Sequence, residues 1–143
     1  MRVIIDTNVV IDALTSRKPW NECAEKIFII AANRIVDIYI TASCATDIYY
    51  LVRKYLHSVE QAKKVMKSLY SLIGILPVTG DECVDALISP VIDYEDAVVE
   101  RTAVKTGMDY IITRNVKDYR QGMVRAILPD DFISLIKERG QLI

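Results

Sequence analysis

The side chains in this chain with the clearest chemical potential are carboxylates. Asp6 closes the apolar run VII near the N-terminus, and Asp47 falls inside a helical pattern. Asp93, Asp96 and Glu100 recur at i, i+3 and i+7, along one stripe of a helix with Glu95 beside them. Asn115 and Asp118 follow the run YII, within Thr113-Arg114-Asn115-Val116-Lys117-Asp118-Tyr119. Clustered carboxylates repel, so they either hold a proton near neutral pH or take up a hard divalent cation, which prefers oxygen ligands and keeps waters. Such an ion lowers the pKa of a bound water and neutralises charge developing on a phosphodiester. Each acid also has an ordinary structural use. Asp6 can cap a helix, Asp47 can pair with a cation at the edge of an apolar face, the 93–100 stripe can be a solvated surface, and Asn115 and Asp118 can form turns. Joint placement decides between these uses, and that depends on the elements carrying the acids.

Short β-branched runs alternate with longer helical patterns. Residues 2–5 read as a buried strand, followed by the cap-type residues Asp6, Thr7 and Asn8 and a short helix to about Leu14. Pro19 suits the first turn of a helix running to about Arg34, and 37–41 is the next strand. A helix over 43–57 sets Cys44, Ile48, Leu51, Val52 and Tyr55 on one face. Ser58-x-x-Gln61 and Thr79-x-x-Glu82 have the pattern of capping boxes, opening helices on either side of a strand at 74–78. The next helix spans 94–106 and stops at Gly107, strands follow at 110–113 and 124–128, and Pro129-Asp130-Asp131 opens the last helix. Strands separated by helices predict an α/β fold, one domain over 1–143 with a parallel sheet covered on both faces. In such sheets ligands bind beyond the carboxyl ends of the strands, which here means Asp6, the 41–43 turn, Thr79 and the 113–115 turn.

Composition narrows the chemistry further. Charge is nearly balanced, with 18 Lys and Arg against 19 Asp and Glu, so nucleic-acid binding would rest on a local site rather than a global field. Local basic groups are Arg17, Lys18, Arg114 and Lys117, with a stripe of Lys63, Lys64 and Lys67. No apolar stretch approaches the roughly 20 residues that span a bilayer, and Asp6 interrupts what would be the apolar part of a secretory signal. A soluble cytoplasmic protein without membrane contact is expected. The three cysteines Cys23, Cys44 and Cys83 lack paired metal-ligand spacing, and the single His57 cannot build a histidine cage. No nucleophile elbow is present. A phosphatase that forms an aspartyl phosphate at Asp6 would want a second Asp where Asn8 stands.

The opening VIIDTNVVID, an acid in the helix after the second strand, and the run DYEDAVVERTAVKTGMDYIITRNVKDY occur in order over nearly the full chain. Together they resemble the PIN-domain ribonucleases, and in particular the VapC-like toxins of type II toxin–antitoxin pairs. The resemblance implies a three-layer α/β/α sandwich with a mostly parallel central sheet of about five strands. It also implies a cluster of three or four acids that binds Mg²⁺ or Mn²⁺ and hydrolyses RNA. By motif position, Asp6, Asp47 and Asp96 are the metal-binding acids, Asn115 stands where the family usually has a fourth, and Asp118 completes the set one turn on. Thr7, Asn8, Ser43, Thr113 and Asp93 would support these acids by hydrogen bonds or added charge, with Glu100 as replacement charge, and Arg114 and Lys117 would meet substrate phosphates. Implied partners are a second copy, giving a homodimer, and a small antitoxin protein lying in the acidic groove. Trp20, Tyr49 and Tyr50 suit such contacts. Asp47 is a methylene shorter than the family's usual Glu, and Asn115 lacks a charge. These departures keep open a second reading, a catalytically silent PIN-like module that binds nucleic acid or protein.

Overall fold

The computed structural model describes residues 1–140. At its centre lies a sheet of five strands in the order β3-β2-β1-β4-β5, every neighbouring pair parallel. The strands are β1 (Arg2–Ile5), β2 (Asp37–Thr41), β3 (Gly74–Leu76), β4 (Tyr110–Ile112) and β5 (Arg125–Ile127). All five fall within or at the expected runs. β3 stops two residues short of 78 because Pro77 has no N–H to extend the ladder. The apolar runs VII and YII are continuous because Val3, Ile4, Ile5, Ile111 and Ile112 are buried on both faces of the sheet.

The helices are α1 (Thr7–Leu14), α2 (Asn21–Ala32), α3 (Ala42–Leu56), α4 (Val59–Leu72), α5 (Gly80–Ala86), α6 (Tyr94–Thr106) and α7 (Pro129–Glu138). The crossovers from β1 to β2 and from β2 to β3 run in one direction, whereas the one from β3 to β4 returns past β1. Right-handed connections then place α1 to α4 on one face and α5 and α6 on the other. Contacts agree: α1 packs on α2 and α3, α2 on α4 and α7, and α5 on α6. The result is the expected three-layer α/β/α sandwich. Among the described residues no helix is long and apolar enough to cross a membrane.

Local signals hold with one shift. Ser58 accepts from the Gln61 N–H at 3.2 Å, and Glu82 accepts from both the N–H and the hydroxyl of Thr79 at 2.6 and 2.7 Å. Glu82 also pairs with Lys105 Nζ at 2.8 Å, which ties α5 to α6. Lys105 foremost, then the Thr79 donors, pull the Glu82 carboxyl down to about 2. Gly107 ends α6 at φ +68°, the left-handed region that glycine enters without strain. Helix α2 starts at Asn21 rather than Pro19, because the Asn21 N–H first closes a separate turn onto the Arg17 carbonyl at 2.9 Å.

The chain leaves β1 toward one edge and β4 toward the other, so a crevice opens beyond the carboxyl ends of these neighbours. Ile5 is level with Ile112, which sets Asp6 and Thr113 side by side just past the ladder. The Asp6 N–H donates to the Ile112 carbonyl at 2.9 Å as the last rung.

Candidate active site

Asp6 sits in this crevice with 7% of its surface exposed. It caps α1, since Oδ1 accepts from the Thr7 N–H at 2.8 Å, but the cap occupies only one of its oxygens. Oδ2 accepts from Thr113 Oγ1 at 2.9 Å and lies 3.4 Å from the Tyr119 hydroxyl and 3.5 Å from Asn8 Nδ2. Burial pushes the Asp6 carboxyl above its ordinary range, and hydrogen bonds from Thr113, Thr7 and Tyr119 oppose the shift.

Asp96 reaches the same place from the opposite layer. It lies in the first turn of α6, where Asp93 is the cap and accepts from the Asp96 N–H at 3.0 Å. Two helix N-termini therefore converge, and their partial positive ends favour the two anions. Asp96 Oδ1 accepts from the Tyr119 hydroxyl at 3.1 Å. Burial first, and then the charge of Asp6, raises the Asp96 carboxyl to about 6. Tyr119 is itself buried, at 1% exposure, and burial together with Asp6 and Asp96 raises its phenol far above the ordinary range. It stays a neutral donor with one proton for two acids.

Asp6, Asp96 and Asp47 line one cleft of about 560 Å³, with Thr7 and Ser43 on its walls and Tyr50 and Tyr94 beside them. Helix α3 carries Asp47 to this cleft as an exposed side chain. Ser43 and Thr41 share a hydrogen bond of 2.8 Å at the start of that helix. Among the described residues no three His, Cys, Asp or Glu side chains converge tightly enough to hold an ion by themselves. Two carboxylates joined through one phenol, facing an open cleft, are nevertheless an all-oxygen donor set. Mg²⁺ is commonly held by one or two carboxylates, with waters and substrate oxygens completing its shell, so the residues present fit such an ion.

The other predicted residues divide. Asn115 is exposed and contributes its backbone N–H to Thr113 Oγ1 at 3.0 Å, while Asp118, also exposed, is near enough that its charge raises both Asp6 and Asp96. Lys117 is exposed on the same 3-10 turn, Val116–Tyr119. Asn8 links Thr113 Oγ1 at 3.4 Å to the Arg114 N–H at 3.3 Å. Arg114 does not offer its guanidinium to a phosphate. It grips Asp12 at 2.6 and 3.3 Å and lies 4.1 Å from the centre of the Trp20 ring. Glu100 is likewise not replacement charge in the cleft, and it leaves the acidic stripe altogether. It is fully buried, with Oε1 accepting from the Met123 N–H at 2.8 Å and Oε2 beside Arg101. Asp12 and Tyr119 are the residues that pattern reading passed over. Asp12 lies one helical turn beyond Asn8, a carboxylate among apolar neighbours, and that was its one signal.

A family model described as PIN domain matches residues 2–117. No curated protein sequence matches the chain significantly. Among solved structures, VapBC2 from Rickettsia felis bound to a promoter DNA fragment is similar at 17% identity and a TM-score of 0.66, over 90% of this chain and 98% of that one. A toxin–antitoxin complex from Klebsiella pneumoniae is similar at 20% identity and TM-score 0.64, over 89% and 97%. VapC20 from Mycobacterium tuberculosis, a toxin that cleaves the sarcin–ricin loop, is similar at 13% identity and TM-score 0.63, over 86% and 98%.

Two outcomes follow from the electrostatics. Removing Arg114 strands a carboxylate that is 99% enclosed, whereas removing Asp12 leaves an arginine that can turn to water. Arg114→Ala is expected to cost about 3–5 kcal/mol in urea unfolding and Asp12→Ala clearly less, with Trp20 emission shifting in both. The folded-state carboxyl of Asp96 lies above its unfolded value, so the contribution of this group to stability is present below about pH 4 and is lost as pH rises to about 6. Asp96→Asn is expected to stabilise the metal-free protein at pH 7 by about 1–2 kcal/mol, a figure already reduced for partial exposure, and the gain should vanish below pH 4. Thermal melts at several pH values check this.

Proposed function

The chain belongs to the PIN-domain family, and from that premise we propose that it is a Mg²⁺- or Mn²⁺-dependent endoribonuclease acting in the cytoplasm as the toxin of a toxin–antitoxin pair. The observation that carries this reading is the pairing of Asp6 with Asp96 through one phenol, at the switch point of the sheet, with Asp47 lining the same cleft. Asp6 and Asp96 would hold the ion. When bound, the ion would supply an acidified water and charge neutralisation at the scissile phosphate. Asp47 would orient that water from α3, and Asp118 would add negative charge near Asp6 and Asp96. Thr7 and Thr113 fix the Asp6 carboxylate in one rotamer, so its oxygens need not reorganise when a ligand enters. Lys117, exposed on the turn that carries Tyr119, would meet a substrate phosphate.

Partner surfaces support the same reading. The connection between α5 and α6 leaves Leu87, Ile88 and Ile92 at 74%, 87% and 99% exposure, with Val84 of α5 beside them. Monomers rarely leave large aliphatic side chains grouped so openly, and a second copy of the chain would cover them. The open cleft itself would receive a segment of an antitoxin, as an alternative to RNA.

Calorimetric titration with Mn²⁺ tests the core of the proposal. The unmodified protein should bind, and Asp6→Asn and Asp96→Asn should each lose binding and lose cleavage of a structured RNA by at least about 100-fold. An unmodified protein that neither binds Mn²⁺ nor cuts RNA would be the silent module instead. For the dimer, the double variant Ile88→Asp, Ile92→Asp is expected to sediment as a monomer under conditions where the unmodified chain sediments as a dimer.

A further inference from the structure

We propose that Tyr119 is a positioning residue that holds Asp6 and Asp96 as one ligand pair, and that buried Glu100 with Gly122 locks Tyr119 in place. The inference rests on the metal-binding reading above and deepens it, giving the Tyr119 hydroxyl a task of its own and assigning one to buried Glu100, which that reading leaves unused. The Tyr119 ring is enclosed in the core, where a phenylalanine ring would fill the same space, so packing does not account for the hydroxyl. A buried phenol needs an acceptor, and its partners here are Asp96 Oδ1 at 3.1 Å and Asp6 Oδ2 at 3.4 Å. Those two acids come from opposite layers of the sandwich. No backbone element joins them, so the phenol is the direct bridge between them.

The chain just beyond Tyr119 is fastened to the helix that carries Asp96. Glu100, one turn after Asp96 on α6, has no exposed surface and accepts from the Met123 N–H at 2.8 Å. The Gly122 N–H donates to the Tyr119 carbonyl at 2.9 Å. A Cβ at position 122 would stand 2.9 Å from Glu100 Cγ and 3.1 Å from that carbonyl, so the turn closes this tightly only with glycine. Helix α6 thus grips the backbone after Tyr119 with Glu100 and receives its hydroxyl with Asp96. The spacing of the ligand pair is set before any ion arrives.

Tyr119→Phe removes one proton donor and keeps the ring. The expected result is an Mn²⁺ affinity weakened about tenfold by calorimetry, in the range that loss of a ligand-supporting hydrogen bond produces. Far-UV circular dichroism and Trp20 emission should stay unchanged. In RNA cleavage the Mn²⁺ concentration for half-maximal rate should rise while the rate at saturating Mn²⁺ stays within about twofold, a split that general loosening of the core would not give. Gly122→Ala should weaken Mn²⁺ binding in the same direction, because the added methyl displaces the turn from Glu100. Equal Mn²⁺ affinity in Tyr119→Phe and the unmodified chain would overturn the inference and leave the nuclease reading intact. Tighter binding by Tyr119→Phe would also overturn it, since the phenol would then compete with the ion. An unmodified chain that binds no Mn²⁺ would bring down the metal-binding reading and this inference together.

Discussion

Asp6 and Asp96 lie within reach of a single phenol, and bringing two carboxylates that close, largely out of water, costs solvation and charge repulsion that other parts of the fold must offset. Part of the offset is built from backbone. Each acid stands in the first turn or at the cap of a helix, so two sets of unpaired N–H groups point toward the pair. Another part is the last rung of the β1–β4 ladder, which fixes the Asp6 backbone, and the Thr113 hydroxyl one register step beyond it. The remainder comes from the core, where isoleucines of β1 and β4 are covered on both faces and each contributes on the order of 1.5–3 kcal/mol. The pair is tolerated because β1, which presents Asp6, and β4, which presents the Thr113 hydroxyl, are among the best buried strands in the molecule, while α6 brings Asp96 to them.

A second charged pair supports the same crevice by a different route. Asp12 has almost no contact with water, and its attraction to Arg114 does little more than cancel the desolvation of both groups. The gain lies in geometry. Arg114 follows Thr113 directly, so gripping its guanidinium from α1 and covering it with Trp20 fixes the start of the 113–115 turn. Thr113 then has one direction for its hydroxyl, toward Asp6. A phosphate-facing arginine at this position would leave Asp12 buried and alone, which is far costlier than losing one surface contact to substrate.

Much of this was legible in the sequence because it depends on local pattern. Continuous apolar runs marked β1 and β4 as doubly covered strands, and the rule that ligands gather beyond strand ends singled out Asp6 and the 113–115 turn before any contact was known. The Asp93-x-x-Asp96 spacing put two acids on one stripe of a helix, but did not show that Asp93 caps it. What stayed hidden depends on long-range pairing. Helical spacing set Asp96 and Glu100 on one stripe, but not that the 120–123 segment folds over Glu100 and takes it out of solvent. Arg114 looked like a phosphate ligand because its neighbours in the chain are site residues, while its actual partner lies 102 positions away. The Tyr119 hydroxyl meets Asp6 across 113 positions, and no periodicity reports such a contact. A tyrosine at the end of a turn reads from sequence as filler.

The placement of Asp47 gives the site its asymmetry. Two acids are fixed by the sheet, by helix starts and by a buried phenol, while the third is exposed on α3 and lines the same cleft. If all three converged, the repulsion among them would exceed what two helix ends and a threonine can offset, and the pair would hold its protons at neutral pH. Keeping the third acid apart spares Asp6 and Asp96 a further like charge beyond the burial that already raises both carboxyls. It also keeps the cleft open rather than closed by a cage of protein carboxylates. The raised carboxyls of Asp6 and Asp96 mark the cost, in burial first and in like charge after it, that the fold carries where the two acids meet.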